Sequence, residues 1–330
     1  MIRKKDFSFF STYLLAREAE KRGATIEKFY PKTKQSFLII KYKNKIETIM
    51  GQRISTLSYN ASFICSNKVF CKILLKRNGI KTSEGKYFSK TKIPDSLAYI
   101  QKIGFPIVIK PLYGTWGDGV YTGIADIAAA KRAIKKILAS GERKRFLVEK
   151  QFVGEEYRIL ATKNKLLGII NRIPANVIGD GKNNIKNLIS KKNDDKRRGE
   201  GHSESLVKIK IDSEIIETLK KKHLTLASVP KKGEQVFLRI KSNLSAGGDS
   251  IDVTDKAHPN IKKLATKVIL SIPNLPYAGF DFMTKDITKD PFKTDYIVIE
   301  INESPMLSMH HFPFRGKRRN VAKDIIDLIF

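Results

Sequence analysis

The stretch Tyr296–His311, YIVIEINESPMLSMHH, decides the fold that we expect for this chain. Its first half has the composition of a β-strand, in which side chains alternate between two faces. The alternation predicts that three isoleucines face the core and that Glu300 and Asn302 lie together on the opposite face. The isoleucines are Ile297, Ile299 and Ile301. A carboxylate and an amide oxygen side by side suit Mg²⁺, although an edge strand with a solvated polar face is the alternative for this motif alone.

The overall composition is that of a globular protein with a large positive charge. The 330 residues, 41% of them hydrophobic, suffice for about two domains with cores of their own. The 63 Lys and Arg exceed the 33 Asp and Glu and give a net charge of +30, which attracts anions of any kind. A basic polyanion-binding protein is therefore one alternative. Aromatic residues are not interleaved with the basic runs, so we do not expect nucleic acid as the primary partner.

Neither a membrane span nor a secretion signal is expected. No apolar run in the sequence approaches the roughly 20 residues that cross a bilayer. The start, MIRKKDFSFF, is basic but lacks a long apolar core and a small-residue cleavage site. Cys65 and Cys71 are too few for a disulfide framework or a metal knuckle. These features predict a cytoplasmic, reduced protein without a membrane partner.

We expect the chain to be organised in three parts. Residues 1–66 contain an amphipathic helix over residues 10–22 and several strand-like runs, and they are predicted to form an α/β N-terminal domain. Residues 67–150 form the second part, which begins with the helix KVFCKILLKRN. Residues 151–330 form the third part, which includes the Tyr296–His311 stretch.

A strand followed by a glycine-rich turn has the features of a phosphate site. The stretch Gly104–Gly119, GFPIVIKPLYGTWGDG, predicts a strand that ends near Lys110 and a turn that contains three glycines. The glycines are Gly114, Gly117 and Gly119. Glycine lets backbone N–H groups approach phosphates, and a lysine supplies the matching charge. The GK[ST] ending of a Walker loop is missing, and a hairpin loop without a ligand is the alternative. Lys68 lies in the first turn of a helix capped by Ser66 or Asn67, where a cation opposes the helix dipole.

The segment FLVEKQFVGEEYRIL predicts two strands joined by a short connection. On the first strand, Glu149 could accept a hydrogen bond from an adenine amino group. The backbone from Lys150 to Phe152 could make the remaining contacts to the base edge. On the second strand, Glu156 and Arg158 share one face, and a structural ion pair is the alternative for them.

A further strand, AGFDFM, is predicted shortly before the Tyr296–His311 stretch. Its alternation places Phe280 and Phe282 in the core and Asp281 on the other side. Because only a short hairpin separates the two strands, we expect them to be antiparallel neighbours. Asp281 would then lie close to Glu300 and Asn302 and complete a metal site of three oxygen donors.

The region between residues 172 and 248 is rich in loops. One strand in it places Arg239 and Lys241 on one face and three apolar residues toward the core. The apolar residues are Val236, Leu238 and Ile240. The turn Ser245–Gly248 is predicted to offer bare N–H groups to an anion, and the basic run Lys196–Arg198 is expected to be solvated unless its arginines fold inward.

The order of these residues resembles that of the ATP-grasp ligases. The set comprises Lys68, Lys110, the glycine-rich loop, Glu149–Lys150, Glu156, Asp281 and Glu300-x-Asn302. Longer stretches are similar to the ATP-grasp part of cyanophycin synthetase and of the bifunctional glutathione synthetases. These stretches are NRIPANVIGDG, NDDKRRGEG, NLSAGGDSIDVTDKAHP and the tail that begins SPMLSMHH. The resemblance implies an α+β ATP-grasp fold, with an α/β N-terminal part and a nucleotide held between two α+β subdomains.

The resemblance also implies a role for each candidate residue, in a site for ATP and two Mg²⁺ ions, which Mn²⁺ could replace. Lys68 and Lys110 would hold phosphates under a lid formed by Gly114–Gly119. Adenine and ribose would be held by Glu149, Lys150, Phe152 and Glu156. The metal ligands would be Asp281, Glu300 and Asn302. The cations around the transferred phosphoryl group and the acyl substrate would be Arg158, Arg172 and Arg239, and the acceptor side would be lined by Ser245, Gly247, Gly248, Ser304 and His310.

The activity implied by the resemblance is ATP-dependent ligation of a carboxylate to an amine. The substrates would be amino acids or short peptides, and the positive charge favours an acidic one. An ATP-grasp protein that binds ATP without ligation is the alternative. Asn67 stands where an Asp commonly precedes the helix lysine in these ligases. The sequence holds neither the peptide-ligase domain of cyanophycin synthetase nor the cysteine ligase half of bifunctional glutathione synthetase, so we expect neither complete activity. A homodimer is compatible with the resemblance.

Overall fold

The computed structural model describes residues 2–29, 37–114, 118–139, 145–201 and 203–330. Within them the helices are α1 (Phe10–Lys21), α2 (Tyr59–Ser66), α3 (Lys68–Arg77), α4 (Ile93–Ile103), α5 (Ile127–Ala139), α6 (Ile185–Asn193), α7 (Ser213–Lys220), α8 (Asn260–Leu270), α9 (Ser308–His311) and α10 (Val321–Ile326). The strands are β1 (Thr25–Phe29), β2 (Phe37–Tyr42), β3 (Lys45–Met50), β4 (Arg53–Ile54), β5 (Gly85–Ser89), β6 (Ile107–Pro111), β7 (Tyr121–Ile124), β8 (Arg145–Lys150), β9 (Glu155–Thr162), β10 (Leu166–Ile173), β11 (Asn176–Ile178), β12 (Arg198–Gly199), β13 (Leu206–Val207), β14 (Gln235–Phe237), β15 (Asp249–Asp252), β16 (Tyr277–Thr284) and β17 (Tyr296–Asn302). The mixed α+β class is confirmed, and no helix in the described ranges is long and apolar enough to cross a membrane.

The N-terminal part consists of α1 and an antiparallel sheet of order β1-β2-β3-β4. The predicted helix and strands are present, and every strand pair in this sheet is antiparallel. Leu15 of α1 and Ile40 of β2 are fully buried in a core that also contains Leu160 and Tyr277 of a larger sheet. The N-terminal part is therefore packed directly against the larger sheet through a shared core.

A small sheet of order β5-β8-β6-β7 forms a second layer of structure. All its pairs are antiparallel. Helices α4 and α5 cover it, and Ile100, Ile134 and Val148 lie in their common core. This sheet carries Lys110 at the end of β6 and Glu149 near the end of β8.

The large sheet has the order β15-β10-β9-β16-β17 and is antiparallel throughout. Phe280 and Phe282 of β16 are fully buried, as predicted, against α3 and α8. Asn67 is the cap of α3, because its side chain accepts hydrogen bonds from the backbone of Val69 and Phe70. Since α3 packs on the large sheet, its N-terminus brings Lys68 to the gap between the two sheets. The predicted boundaries at residues 66 and 150 remain predictions.

The alternation predicted for β17 is wrong in its first half. The buried side chains of this strand that join the core are those of Tyr296, Val298 and Ile301. Asp281 of β16 pairs with Glu300 but the next residue, Phe282, pairs with Val298, so a β-bulge lies at Ile299. The bulge shifts the alternation by one residue, and Ile297 and Ile299 therefore do not face the core as predicted.

The loop-rich region forms an insertion with a core of its own. Helices α6 and α7 pack on strands β11 and β14, with Val177, Ile189 and Leu238 buried between them. Ile240 was predicted to face this core but is 65% exposed, because β14 ends at Phe237 and its alternation does not continue. Arg198 does fold inward, and its buried guanidinium pairs with Asp249.

The chain crosses between the small and the large sheet at two adjacent places. In the first crossing, the backbone N–H of Val298 donates to Lys81 O at 2.9 Å, and Thr82 forms a parallel bridge with Val298. In the second, the N–H of Lys150 donates to Glu84 O at 2.9 Å. The first crossing therefore lies beside β17, the strand that carries Glu300 and Asn302, and the second lies next to it, at Glu84.

Candidate active site

The three predicted oxygen donors lie together on the large sheet. The strand register places Asp281 directly opposite Glu300 and places Asn302 opposite Gly279, two pairs further along. Residues directly opposite on one face of an antiparallel pair have Cβ atoms about 5 Å apart. The arrangement of these three positions on neighbouring strands is thus the one expected from the sequence.

Two arginines surround the carboxylate of Asp281. Arg158 Nε lies 2.6 Å from Asp281 Oδ1, and Arg172 Nη2 lies 2.9 Å from Oδ2. Asp281 is only 5% exposed. Burial raises the pKa of this carboxyl, but the positive charges of Arg158 and Arg172 outweigh burial and hold the pKa below its usual range. The site therefore holds a fully ionised acid between two cations.

Arg172 also connects this group to Glu156 of β9, another residue with a predicted role. Its guanidinium also pairs with Glu156, which accepts a further hydrogen bond from Ser242 Oγ. Glu156 and Arg158 share a strand face as predicted, yet each pairs with a residue of another strand. Gly279 leaves the space that Arg158 occupies, because a Cβ there would lie 3.1 Å from Arg158 Cδ.

The donor set fits Mg²⁺ that is shared with a phosphate ligand. Asp281 and Glu300 offer carboxylates and Asn302 an amide oxygen, and the buried Asn302 Nδ2 has no hydrogen-bond partner in the described part of the chain. Among the described residues, no three His, Cys, Asp or Glu side chains are grouped to hold a metal. Since Mg²⁺ prefers octahedral oxygen coordination, phosphate oxygens and water would complete a shell that these three residues begin.

A second charged group faces this one from the small sheet and α3. The carboxylate of Glu149 lies between Lys110, whose Nζ is 2.9 Å from Oε2, and Lys72, which binds Oε1. Lys68 lies close by and donates from Nζ to Gly114 O at 3.0 Å. All four charged residues are less than 10% exposed. Three lysines and one carboxylate thus leave a surplus of positive charge, which suits a polyphosphate.

Lys72 is the residue of this group that received no predicted role. Burial lowers the pKa of Lys72 to about 8, against the opposing effect of Glu149. Burial raises the pKa of Glu149, but Lys110 and Lys72 outweigh it and bring that pKa down to about 2. The available signal was the spacing of Lys68 and Lys72, four residues apart on one helix face.

The other residues that the sequence predicts to bind the nucleotide have varied surroundings. Gly114 and Gly119 have φ of +139° and +68°, whereas Gly117 lies outside the described residues, so the lid remains a prediction. Lys150 Nζ donates to Phe105 O at 2.8 Å. Phe152 lines an open groove of about 520 Å³ that also includes Ile297 and Lys81.

Arg239 is not part of the group around Asp281. Its guanidinium lies 2.6 Å from Asp212 Oδ2 and also pairs with Glu214, both of the insertion. The charge of Arg239 is therefore balanced within the insertion, and the arginines that the structure brings to Asp281 are Arg158 and Arg172.

The predicted acceptor residues differ from expectation at the Ser245–Gly248 turn. Its four backbone N–H groups all donate within the turn, to Asn243 or to Leu244 O, at 3.0 to 3.3 Å. The prediction of bare N–H groups for an anion is therefore wrong. Ser304 Oγ exchanges hydrogen bonds with Gln52. His310 is 1% exposed and packs on Gly168.

Comparison with known proteins gives the class of this chain. The family model of the phosphoribosylglycinamide synthetase ATP-grasp (A) domain matches residues 66–167. A D-alanine–D-alanine ligase from Bacillus anthracis has a similar fold, with a TM-score of 0.50 and 17% identity over 83% of this chain and 68% of that one. Together with the geometry above, these findings show an ATP-grasp fold.

More similar proteins narrow the relationship. The bifunctional protein GshAB of glutathione biosynthesis from Clostridium perfringens is 35% identical over 97% of this chain and 41% of its own length. A cyanophycin synthetase from Crocosphaera subtropica is 40% identical over 69% of this chain and 26% of its own. The crystal structure of a bifunctional glutathione synthetase from Pasteurella multocida has a TM-score of 0.73 and 32% identity, over 98% of this chain and 44% of that one.

The chain is therefore an ATP-grasp domain protein, related to the ATP-grasp regions of the bifunctional glutathione synthetases and of cyanophycin synthetase. This relationship is the one predicted from the sequence. The chain spans less than half the length of these relatives. ATP-grasp proteins bind ATP, typically with Mg²⁺.

Proposed function

We propose that this chain is an ATP- and Mg²⁺-dependent ligase that joins the carboxylate of an amino acid or short peptide to an amine. The observation that carries the proposal is the placement of Asp281 opposite Glu300, between two arginines, on a sheet that faces a buried cluster of lysines. Relationship to ligase domains supports it. One group has the ligands for a metal and the other has the charge for phosphates.

In the proposed reaction, a carboxylate oxygen attacks the γ-phosphorus of ATP and the bond to ADP breaks, which leaves an acylphosphate. The amine nitrogen then attacks the acyl carbon, phosphate leaves, and the nitrogen gives up a proton to form the amide. Arg158 and Arg172 would stabilise the charge that develops on the transferred group, because preorganised charge dominates catalysis of phosphoryl transfer. Lys68 and Lys110 would hold the phosphates.

The metal part of the proposal rests on the donor set alone. Asp281, Glu300 and Asn302 would hold Mg²⁺, two ions in our proposal, which when bound supplies positive charge to the phosphate oxygens. Glu156 would bind the ribose and Glu149, with the backbone at Phe152, the adenine.

The substrate class is inferred from charge and relationship. Two relatives are named for glutathione biosynthesis and for cyanophycin synthesis, and a net charge of +30 favours an acidic donor here. ADP release measured with pairs of amines and acids, including γ-glutamyl and aspartyl dipeptides, would identify the substrates. ATP binding without amine-dependent ADP release would instead favour a nucleotide-binding protein. A cytoplasmic location and a homodimer complete the proposal.

Glu300→Gln tests the metal assignment. The substitution removes one negative charge from the metal site and keeps the side-chain shape, so turnover should fall by about a hundredfold or more while the fold is retained. Steady-state ADP release at increasing Mg²⁺ measures the loss. Glu217→Gln, on the exposed face of α7, is the matched control and should keep full turnover. Near-normal ligation by Glu300→Gln would refute the assignment.

A further inference from the structure

Glu149 lies between two lysines that approach it from different elements. Lys110 comes from β6 and binds one carboxylate oxygen at 2.9 Å, while Lys72 comes from α3 and binds the other. Lys72 also donates to Ser83 O at 3.4 Å and is 9% exposed. A lysine is rarely buried unless it is paired, and this one is held at the border of the proposed phosphate site.

The charge balance of this group depends on Lys72. With Lys72 present, Glu149 is shared, and the pair of lysines keeps one net positive charge. Without Lys72, Glu149 would pair with Lys110 alone, and their charges would cancel. A neutral pair attracts phosphate far less than a cation does.

We propose that Lys72 is a positioning residue that binds Glu149 and thereby keeps the charge of Lys110 available to the phosphates of ATP. The inference rests on the ATP site of the proposed function. It extends that function by assigning Lys72, which does not itself need to touch the nucleotide.

Binding of inorganic tripolyphosphate with Mg²⁺ tests the inference, because this probe has no adenine and contacts of Glu149 to a base do not enter. Competition against a fluorescent ATP analogue gives the affinity. We expect Lys72→Met to weaken binding by about tenfold to a hundredfold, which is the range for loss of a hydrogen bond to a charged group. Arg77→Met removes the same charge from the exposed face of α3 and should leave the affinity within about twofold.

The double variant separates positioning from a merely structural role. If Lys72 acts by sharing Glu149, Lys72→Met combined with Glu149→Gln frees Lys110 again, and the affinity should recover above that of Lys72→Met alone. If the two losses multiply, or if Lys72→Met binds like the unaltered protein, the inference is overturned. Circular dichroism of each variant shows whether the fold is retained.

The unaltered protein provides a second measurement in case Lys72→Met does not fold. The groups that face Lys72 are Glu149, Lys110 and, on its own helix, Lys76. Because burial lowers the pKa of Lys72 to about 8, its charge is lost as pH rises through that value, and tripolyphosphate affinity should fall between pH 7 and pH 9. Burial also lowers the pKa of Lys68, so Lys68 adds a further decline of affinity with rising pH. If Lys72→Met folds, it should show only the decline that is due to Lys68. Constant affinity over this range would overturn the inference.

Failure of the inference is distinct from failure of the proposed function. A protein that binds ATP but releases no ADP with any amine would contradict ligation and leave the role of Lys72 to be decided by the affinities. A ligase in which Lys72→Met binds normally would contradict only the positioning role.

Discussion

The buried imidazole of His310 has a pKa well below its ordinary value. His310 is 1% exposed, and in the described part of the chain neither ring nitrogen has a hydrogen-bond partner. A Cβ on Gly168 would lie 2.7 Å from Nδ1, so the ring is pressed against β10. Burial lowers the pKa of His310 to about 3, with the charge of Arg158 acting in the same direction. The ring is therefore neutral at pH 7.

His310→Leu should remove part of the acid sensitivity of the fold. The unfolded imidazole titrates near pH 6.5, so between pH 6.5 and pH 3 the unfolded state binds more protons, and stability falls as pH falls. Between pH 7 and pH 5 this residue should account for about 2 kcal/mol of the free energy of unfolding. Urea unfolding at pH 7, 6 and 5 measures it.

The exposed His223, at φ +56°, provides the control, since His223→Asn keeps a residue that tolerates this conformation. That variant should retain the pH dependence of the original protein. His311, whose pKa burial lowers to about 4, contributes in both variants. An unchanged pH dependence in His310→Leu would contradict the predicted protonation state.

At the scale of elements, two glycines, Gly247 and Gly248, form the turn between the short 3-10 helix Leu244–Ala246 and β15. Gly247 has φ of +93°, and a Cβ on it would lie 2.6 Å from Ile209 Cγ1. Arg198 donates to Gly247 O at 3.2 Å and holds the turn from the other side. The turn is therefore fixed by packing as well as by its internal hydrogen bonds. It leads into β15, the strand that lies beside Arg172 of β10.

Gly247→Ala should destabilise the protein by about 2 to 4 kcal/mol, because it combines the cost of the left-handed conformation with overpacking against Ile209. Gly233 has a similar φ of +84° but nothing within 4 Å of a Cβ. Gly233→Ala should therefore cost only the conformational part, about 1 kcal/mol. Denaturant unfolding of both variants gives the difference, and equal costs would show that the contact with Ile209 is relieved.

The sequence was sufficient for much of the fold but not for the ionic partners. Alternation along β16 and a short hairpin were enough to place Asp281 near Glu300, because antiparallel pairing follows from chain proximity. The bulge at Ile299 is not evident from the sequence, because Ile297, Val298 and Ile299 are all apolar β-branched residues that suit either face of the strand. The sharing of Glu149 between Lys72 and Lys110 depends on how α3 packs between the two sheets. A sequence pattern does not give the distances between side chains on different elements.

At the scale of the molecule, the N-terminal part supports the loop after β17 through hydrogen bonds and an ion pair. Ser11 Oγ accepts hydrogen bonds from the backbone of Leu307 at 2.9 Å and of Ser308 at 3.3 Å. Arg53 Nη2 lies 2.7 Å from Glu303 Oε1. The segment that bears the predicted acceptor residues is thus supported by residues about 250 to 300 positions away in the sequence.

Ser11→Ala should weaken this support. Two buried N–H groups would lose their acceptor, at a cost of about 1 to 3 kcal/mol in the free energy of unfolding. For a ligase we expect KM for the amine to rise more than KM for ATP, because the acceptor loop relaxes while the lysine cluster is untouched. Thermal unfolding and steady-state kinetics measure the two effects. Ser8→Ala, at an exposed position, should change neither, and an unchanged KM in Ser11→Ala would contradict the bracing role.

The two adjacent chain crossings have a mechanical consequence. Because the two crossings are adjacent, the chain connections between the small and the large sheet lie together at one side of the small sheet. Helix α3 adds the contacts of Lys68 with Gly114 and of Lys72 with Glu149. Strands β5 and β8 are next to the attachment, and β7 is the free edge, about 10 to 15 Å away at ordinary strand spacing. A change of backbone torsion near Thr82 or Lys150 would therefore alter the distance between Lys110 and Asp281. In the proposed ligase, residues near Thr82 and Lys150 would then influence how the groups around Lys110 and Asp281 meet one polyphosphate.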